Sequence, residues 1–105
     1  MKNRRVVVTG MGMLSPVGNT VEDAWKNIVA GKSGIRLVDF FDVSELTSKI
    51  SGSVRGFDPS QFFTPKEERR VDLFIQYAIA ASDQAFKDAN LEVTDENSAR
   101  MGVSV

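Results

Sequence analysis

The sequence predicts an α/β fold, and three observations carry that prediction. Val6-Val7-Val8 near the start and Arg100-Met101-Gly102-Val103-Ser104-Val105 at the end read as strands. Between them lie two stretches of helical periodicity, separated by an irregular excursion over residues 32–63. The order strand, helix, excursion, helix, strand is that of a layered α/β unit with at least one right-handed crossover.

Residues 6–8 form a continuous β-branched run entered from Arg4-Arg5, as expected of a strand buried on both faces of a parallel sheet. The run stops at Thr9-Gly10-Met11-Gly12, and a loop with Ser15-Pro16 and Gly18-Asn19 follows. Thr20, with Asp23 three residues on, is a capping-box variant opening the first helix. Val21, Ala24, Trp25, Ile28 and Val29 make its apolar stripe, and Gly31 stands where a left-handed C-terminal cap belongs. In the excursion, Gly34, Asp42, Gly52, Gly56 and Pro59 break the pattern, leaving residues 35–38 and 49–54 as at most short edge strands. Its phenylalanines, Phe40, Phe41, Phe57, Phe62 and Phe63, are expected to pin it to a core rather than to stack on a ligand.

The chain is organised around residues 64–90. Thr64-Pro65-Lys66-Glu67 is a capping box with proline at the first helical position. Val71, Phe74, Ile75, Ala78, Ala81, Ala85, Phe86 and Ala89 then recur at helical spacing, with nothing inside to interrupt them and Asn90 as terminator. The pattern predicts one helix of about seven turns. Its middle is lined with small residues and suits close packing inside a layered domain. Its first turns carry Lys66, Arg69 and Arg70 at i, i+3 and i+4, on one face. Glu67 and Glu68 offset much of that charge, so a solvated, salt-bridged helix end is the bland reading. The sharper reading is a docking patch for an acidic partner.

Composition narrows the functions open to this chain. It has 105 residues, 42% hydrophobic and 26% charged, ordinary globular material. Thirteen basic against fourteen acidic residues create no global field for nucleic acid or membrane. No apolar run is long enough to span a bilayer. The basic-then-apolar opening is interrupted by Thr9, Gly10 and Gly12, unlike a secretory leader, so cytoplasm is the expected location. Cysteine and histidine are both absent. Their absence removes disulfides, thiolate and imidazole metal ligands, and the commonest nucleophile and general base. No catalytic residue, metal site or cofactor site is therefore assigned. The closing strand stops without turn or polar tail, and two strands cannot hold a buried parallel sheet. Residues 1–105 are accordingly expected to be a fragment without a complete domain.

Val8-Thr9-Gly10-Met11-Gly12-Met13-Leu14-Ser15 begins like a dinucleotide fingerprint, G-x-G-x-x-S after a strand. In that motif the loop runs straight into a helix, whereas here Pro16, Gly18 and Asn19 delay it to Thr20. A small Rossmann-like nucleotide-binding module is thus one alternative, and a stand-alone interaction domain for an acidic protein is another.

The same residues resemble the start of the β-ketoacyl-acyl carrier protein synthases. The likeness runs through Arg4 to Gly12, Ser15-Pro16-Val17-Gly18-Asn19, Trp25, Ala30-Gly31-Lys32-Ser33-Gly34-Ile35, Arg70-x-Asp72-x-Phe74, Ala78 to Ala89 and the closing Arg100-Met101-Gly102. It covers essentially the whole chain and is strongest towards the type II condensing enzymes (synthase II) of bacterial fatty acid synthesis. The resemblance implies a thiolase-like fold of two related halves in α-β-α-β-α layers, with this chain the N-terminal part of the first half. It implies a homodimeric acyltransferase that loads an acyl chain onto a cysteine and condenses it with malonyl carrier protein after decarboxylation. The family's cysteine and two histidines lie downstream of this stretch. One feature carries over by position: Lys66, Arg69 and Arg70 match places where such enzymes dock the acidic acyl carrier protein.

Overall fold

The computed structural model describes residues 2–105. Helix α1 spans Val21–Val29, strands β1 and β2 span Ile35–Leu37 and Ile50–Gly52, and helices α2 and α3 span Pro65–Glu68 and Leu73–Asp88. Single 3₁₀ turns lie at Pro59–Gln61 and Ser98–Arg100.

Local chemistry sets the ends of α1. The Thr20 hydroxyl accepts the Asp23 amide at 3.1 Å, and Glu22 and Asp23 favour the positive end of the helix dipole. At the other end Gly31 adopts φ 70°. Its amide bonds the Ile28 carbonyl at 3.0 Å while the Lys32 amide bonds that of Asn27 at 2.9 Å. This is the Schellman geometry expected from a glycine at that position. Asn90 ends α3 the same way, with φ 52° and bonds from Asn90 to Lys87 and from Leu91 to Phe86. Both predicted edge strands form, three residues each, and pair antiparallel with Ile35 opposite Gly52 and Leu37 opposite Ile50.

The glycine-rich segment before α1 is laid directly on α3. A Cβ built on Gly10 would stand 2.4 Å from the Ala85 carbonyl oxygen, and one on Gly12 would stand 1.8 Å from that of Ala81. The small residues Ala81, Ala85 and Ala89 leave the helix backbone open to this approach. Polar bonds fasten it: the Met11 amide to the Asp88 carboxylate at 2.9 Å, and the Met13 amide to the Gln84 side-chain oxygen at 3.0 Å. The Gln84 Nε2 donates to the Asn19 carbonyl at 2.7 Å, and the Asn19 Nδ2 donates to that of Arg55, also at 2.7 Å. One line of hydrogen bonds therefore joins the opening segment, α3 and the chain beyond β2.

Four expectations are corrected. Residues 64–90 are not one helix: α2 ends at Glu68, and α3 starts at Leu73 after Asp72 has taken the extended backbone of an N-cap (φ −67°, ψ 159°). Residues 6–8 and 100–105 belong to no sheet among the described residues, because a strand exists only through its ladder and neither run meets a partner here. The described sheet is accordingly the antiparallel β1–β2 pair, with no parallel crossover. Phe57 does pin the excursion, stacking on Phe62 (6.0 Å) and meeting Tyr77 of α3 edge-on (5.2 Å). Phe40 and Phe41 instead pack on each other at 5.0 Å and stay exposed.

Packing is sparse. The hydrophobic side chains fully withdrawn from solvent among the described residues are Ala24 and Ala80, while Val6 is 93% exposed. The radius of gyration is 17.7 Å, against about 13 Å for a compact domain of this length. So little buried apolar area cannot offset the conformational entropy of ordering the chain. Residues 1–105 in isolation are expected to aggregate or to lose ellipticity without a cooperative step. A reversible, cooperative melt of a monomer in calorimetry would contradict that expectation.

Candidate functional site

The basic segment is built by the capping box that opens α2. The Glu67 Oε2 accepts the Thr64 amide at 2.8 Å and the Thr64 hydroxyl at 2.9 Å, and the Thr64 oxygen accepts the Glu67 amide at 3.3 Å. Hydrogen bonds from the Thr64 backbone and then its side chain hold the Glu67 carboxyl below its ordinary pKa. A depressed carboxylate pKa stabilises the fold above the ordinary value of 4.5, and that contribution is lost as pH falls through the lower, folded-state value. The Thr64 amide proton is therefore expected to titrate with Glu67 in NMR, at an apparent pKa below 4.5. A midpoint at or above that value would remove the box.

This geometry revises the charge balance. The Glu67 oxygen bonds Thr64, and neither Glu67 nor Glu68 forms an ion pair among the described residues. The ion pairs present are Arg55–Asp39 at 3.3 Å and Lys87–Asp83 at 2.6 Å. Lys66, Arg69 and Arg70 are all exposed and none has an acidic partner there. Lys66 lies in α2 and Arg69 caps it in helical geometry, so these two sit one turn apart as predicted. Arg70 lies past the helix end, its amide bonded to the Glu67 carbonyl at 2.9 Å, so the i, i+4 relation with Lys66 is no longer a helical one. Val71 and the exposed Asp72 follow, and α3 then opens on the exposed Leu73 and Phe74.

One residue of this region escaped the sequence reading. Gln76 is 7% exposed, the buried polar side chain among the described residues. Its Nε2 donates to the carbonyls of Glu68 at 3.3 Å and Val71 at 3.1 Å, across the α2–α3 break. A polar residue inside an apolar stripe, four positions after an aspartate suited to capping, was the available signal.

Two other places could hold a ligand. A cleft of about 680 Å³ runs between the excursion and the first turns of α3, with Pro16, Phe40, Arg55, Leu73 and Tyr77 among its walls. Its charged groups, Asp39 and Arg55, pair through one guanidinium nitrogen at 3.3 Å, while the buried Arg55 Nε has no hydrogen-bond partner among the described residues. The G-x-G segment offers no phosphate cradle, since its amides at Met11 and Met13 already bond Asp88 and Gln84, and Asp88 would repel an anion. The nucleotide-binding alternative lapses on this geometry.

Comparison with known proteins agrees. Residues 3–105 match the family described as "Beta-ketoacyl synthase, N-terminal domain". Relatives named "3-oxoacyl-[acyl-carrier-protein] synthase 2" are 55% identical in Vibrio cholerae, 52% in Vibrio harveyi and 42% in Coxiella burnetii, each over 100% of this chain. The chain spans 25% of the length of each. Among solved structures, the ishigamide ketosynthase/chain length factor is similar over 87% of this chain and 23% of its own, with 33% identity and a TM-score of 0.69. The glycine contact with α3, the short antiparallel pair and the broken helix are thus pieces of a layered, thiolase-like α/β fold, and the chain belongs to the β-ketoacyl synthase family through its N-terminal domain.

Proposed function

We propose that this chain is the N-terminal part of a 3-oxoacyl-acyl carrier protein synthase 2, acting in fatty acid elongation as a cytoplasmic homodimer. The observation that carries the reading is identity above one half, over the whole chain, with two synthases of that name. In the reaction so assigned, a cysteine thiol outside this chain takes the acyl group from one carrier thioester and releases the carrier thiol. Malonyl carrier then loses CO2. The enolate left behind attacks the acyl-enzyme carbonyl, forming the new carbon–carbon bond and expelling the cysteine. Two histidines, also outside this chain, hold the developing oxyanions, the step where preorganised donors contribute most.

Residues 1–105, as part of the first thiolase-like half, contribute recognition rather than chemistry. Lys66, Arg69 and Arg70 dock the acidic acyl carrier protein, a role supported by their exposure and their freedom from acidic partners among the described residues. Such a patch speeds encounter and fixes orientation.

The test is condensation by the whole protein, supplied with acyl and malonyl carrier protein. Equal yields of CO2 and 3-oxoacyl carrier are expected, and residues 1–105 alone should gain no acyl adduct by mass spectrometry. A whole protein that releases no CO2, or an isolated chain that becomes acylated, would overturn the reading.

A further inference from the structure

We propose that Gln76 is a positioning residue for the basic segment, its buried amide fixing the turn that presents Arg69 and Arg70; this rests on the docking role proposed above. A helix end leaves carbonyls without amide partners. Continuing α2 would have given the Glu68 carbonyl the amide of residue 72, but Asp72 has turned to the extended backbone of the next N-cap. Gln76 supplies the missing donor. Its single Nε2 reaches the Glu68 carbonyl at 3.3 Å and the Val71 carbonyl at 3.1 Å. Those two residues flank Arg69-Arg70 on either side, so one amide closes the turn on which both arginines stand.

Gln76 is withdrawn from water, and so its amide has no easy substitute partner if the turn opens. The turn is thereby tied to α3, whose other end carries the glycine segment through Gln84 and Asp88. The arginine side chains remain exposed while their backbone is held. Association with an acidic surface then needs no ordering of the loop, which favours binding. An arginine pair on an untethered connection would lose that advantage.

Gln76→Met in the whole synthase keeps the volume and removes the amide. Carrier-linked and carrier-free thioesters should be compared as substrates, alongside Arg69→Glu/Arg70→Glu and the triple variant. Q76M is expected to raise KM for the carrier-linked substrate about three- to tenfold, as for lost register at a charged rim. Its kcat and its activity on the carrier-free thioester should stay level. It should add nothing further in the charge-reversed background, because it acts through the arginines. An unchanged KM in Q76M, with a raised one in the charge-reversed variant, would overturn the role of Gln76 and leave docking standing. Equal loss on both substrates, or full additivity in the triple variant, would make Gln76 a structural residue only. No effect of charge reversal would remove the docking reading and this inference with it. If Q76M does not fold, Gln76→Asn, whose shorter amide cannot span both carbonyls, gives the same readouts.

Discussion

Alanine at Gly12 is expected to destabilise the whole protein by about 3 kcal/mol, the upper end for forcing a methyl group into a filled space. The added Cβ would lie 1.8 Å from the Ala81 carbonyl oxygen and 2.8 Å from both the Ala81 carbonyl carbon and the Gln84 Cβ. Two of those atoms are helix backbone, which cannot swing aside as a side-chain tip can. The opening segment must lift instead, and lifting stretches the Met13–Gln84 and Met11–Asp88 bonds together. Gly31→Ala is the useful comparison. Gly31 has open space around its Cβ position but a φ of 70°, so alanine there meets only backbone strain, about 1 kcal/mol. Denaturant midpoints should rank wild type, then G31A, then G12A well below both. Equal midpoints for the two variants would show that Gly12 does not press on α3.

The features legible in the sequence were those set by neighbours along the chain. Thr64 and Glu67 announce their capping box, Gly31 its left-handed helix end and Asn90 a helix stop, because each needs only a few residues of context. The break at residues 69–72 was hidden. Val71, Phe74 and Ile75 keep helical spacing across it, no glycine or proline marks it, and the donor that stabilises it comes from Gln76 on the next helix. The valines at 6–8 read as a buried strand because β-branched runs usually are one, yet their ladder depends on partners that sequence periodicity cannot supply. At the candidate site, Lys66, Arg69 and Arg70 were legible as a cluster. Their lack of acidic partners was not, since a capping-box carboxylate can still pair with a neighbouring cation, and only the fold shows that neither Glu67 nor Glu68 does so among the described residues.

Reversing Arg69 and Arg70 to glutamate is expected to raise the whole synthase's KM for carrier-linked substrate about thirtyfold. Each exposed rim charge contributes on the order of 1 kcal/mol or less, and reversal adds repulsion to the lost attraction. About 2 kcal/mol in total corresponds to that ratio. The loss should fall largely on association rate and should shrink as salt is raised, because exposed charges are screened within about 10 Å at 0.1 M ionic strength. The melting temperature should move little, as neither arginine carries a structural ion pair among the described residues.

The most direct measurement is therefore a ratio: kcat/KM for carrier-linked over carrier-free thioester, in the wild-type synthase and in the Arg69→Glu/Arg70→Glu variant. If this chain supplies the carrier-docking surface, the ratio falls more than tenfold in the variant at low salt, with carrier-free activity unchanged. A ratio that stays the same, whether both activities survive or both collapse, would contradict the assignment and return these arginines to ordinary helix-end surface.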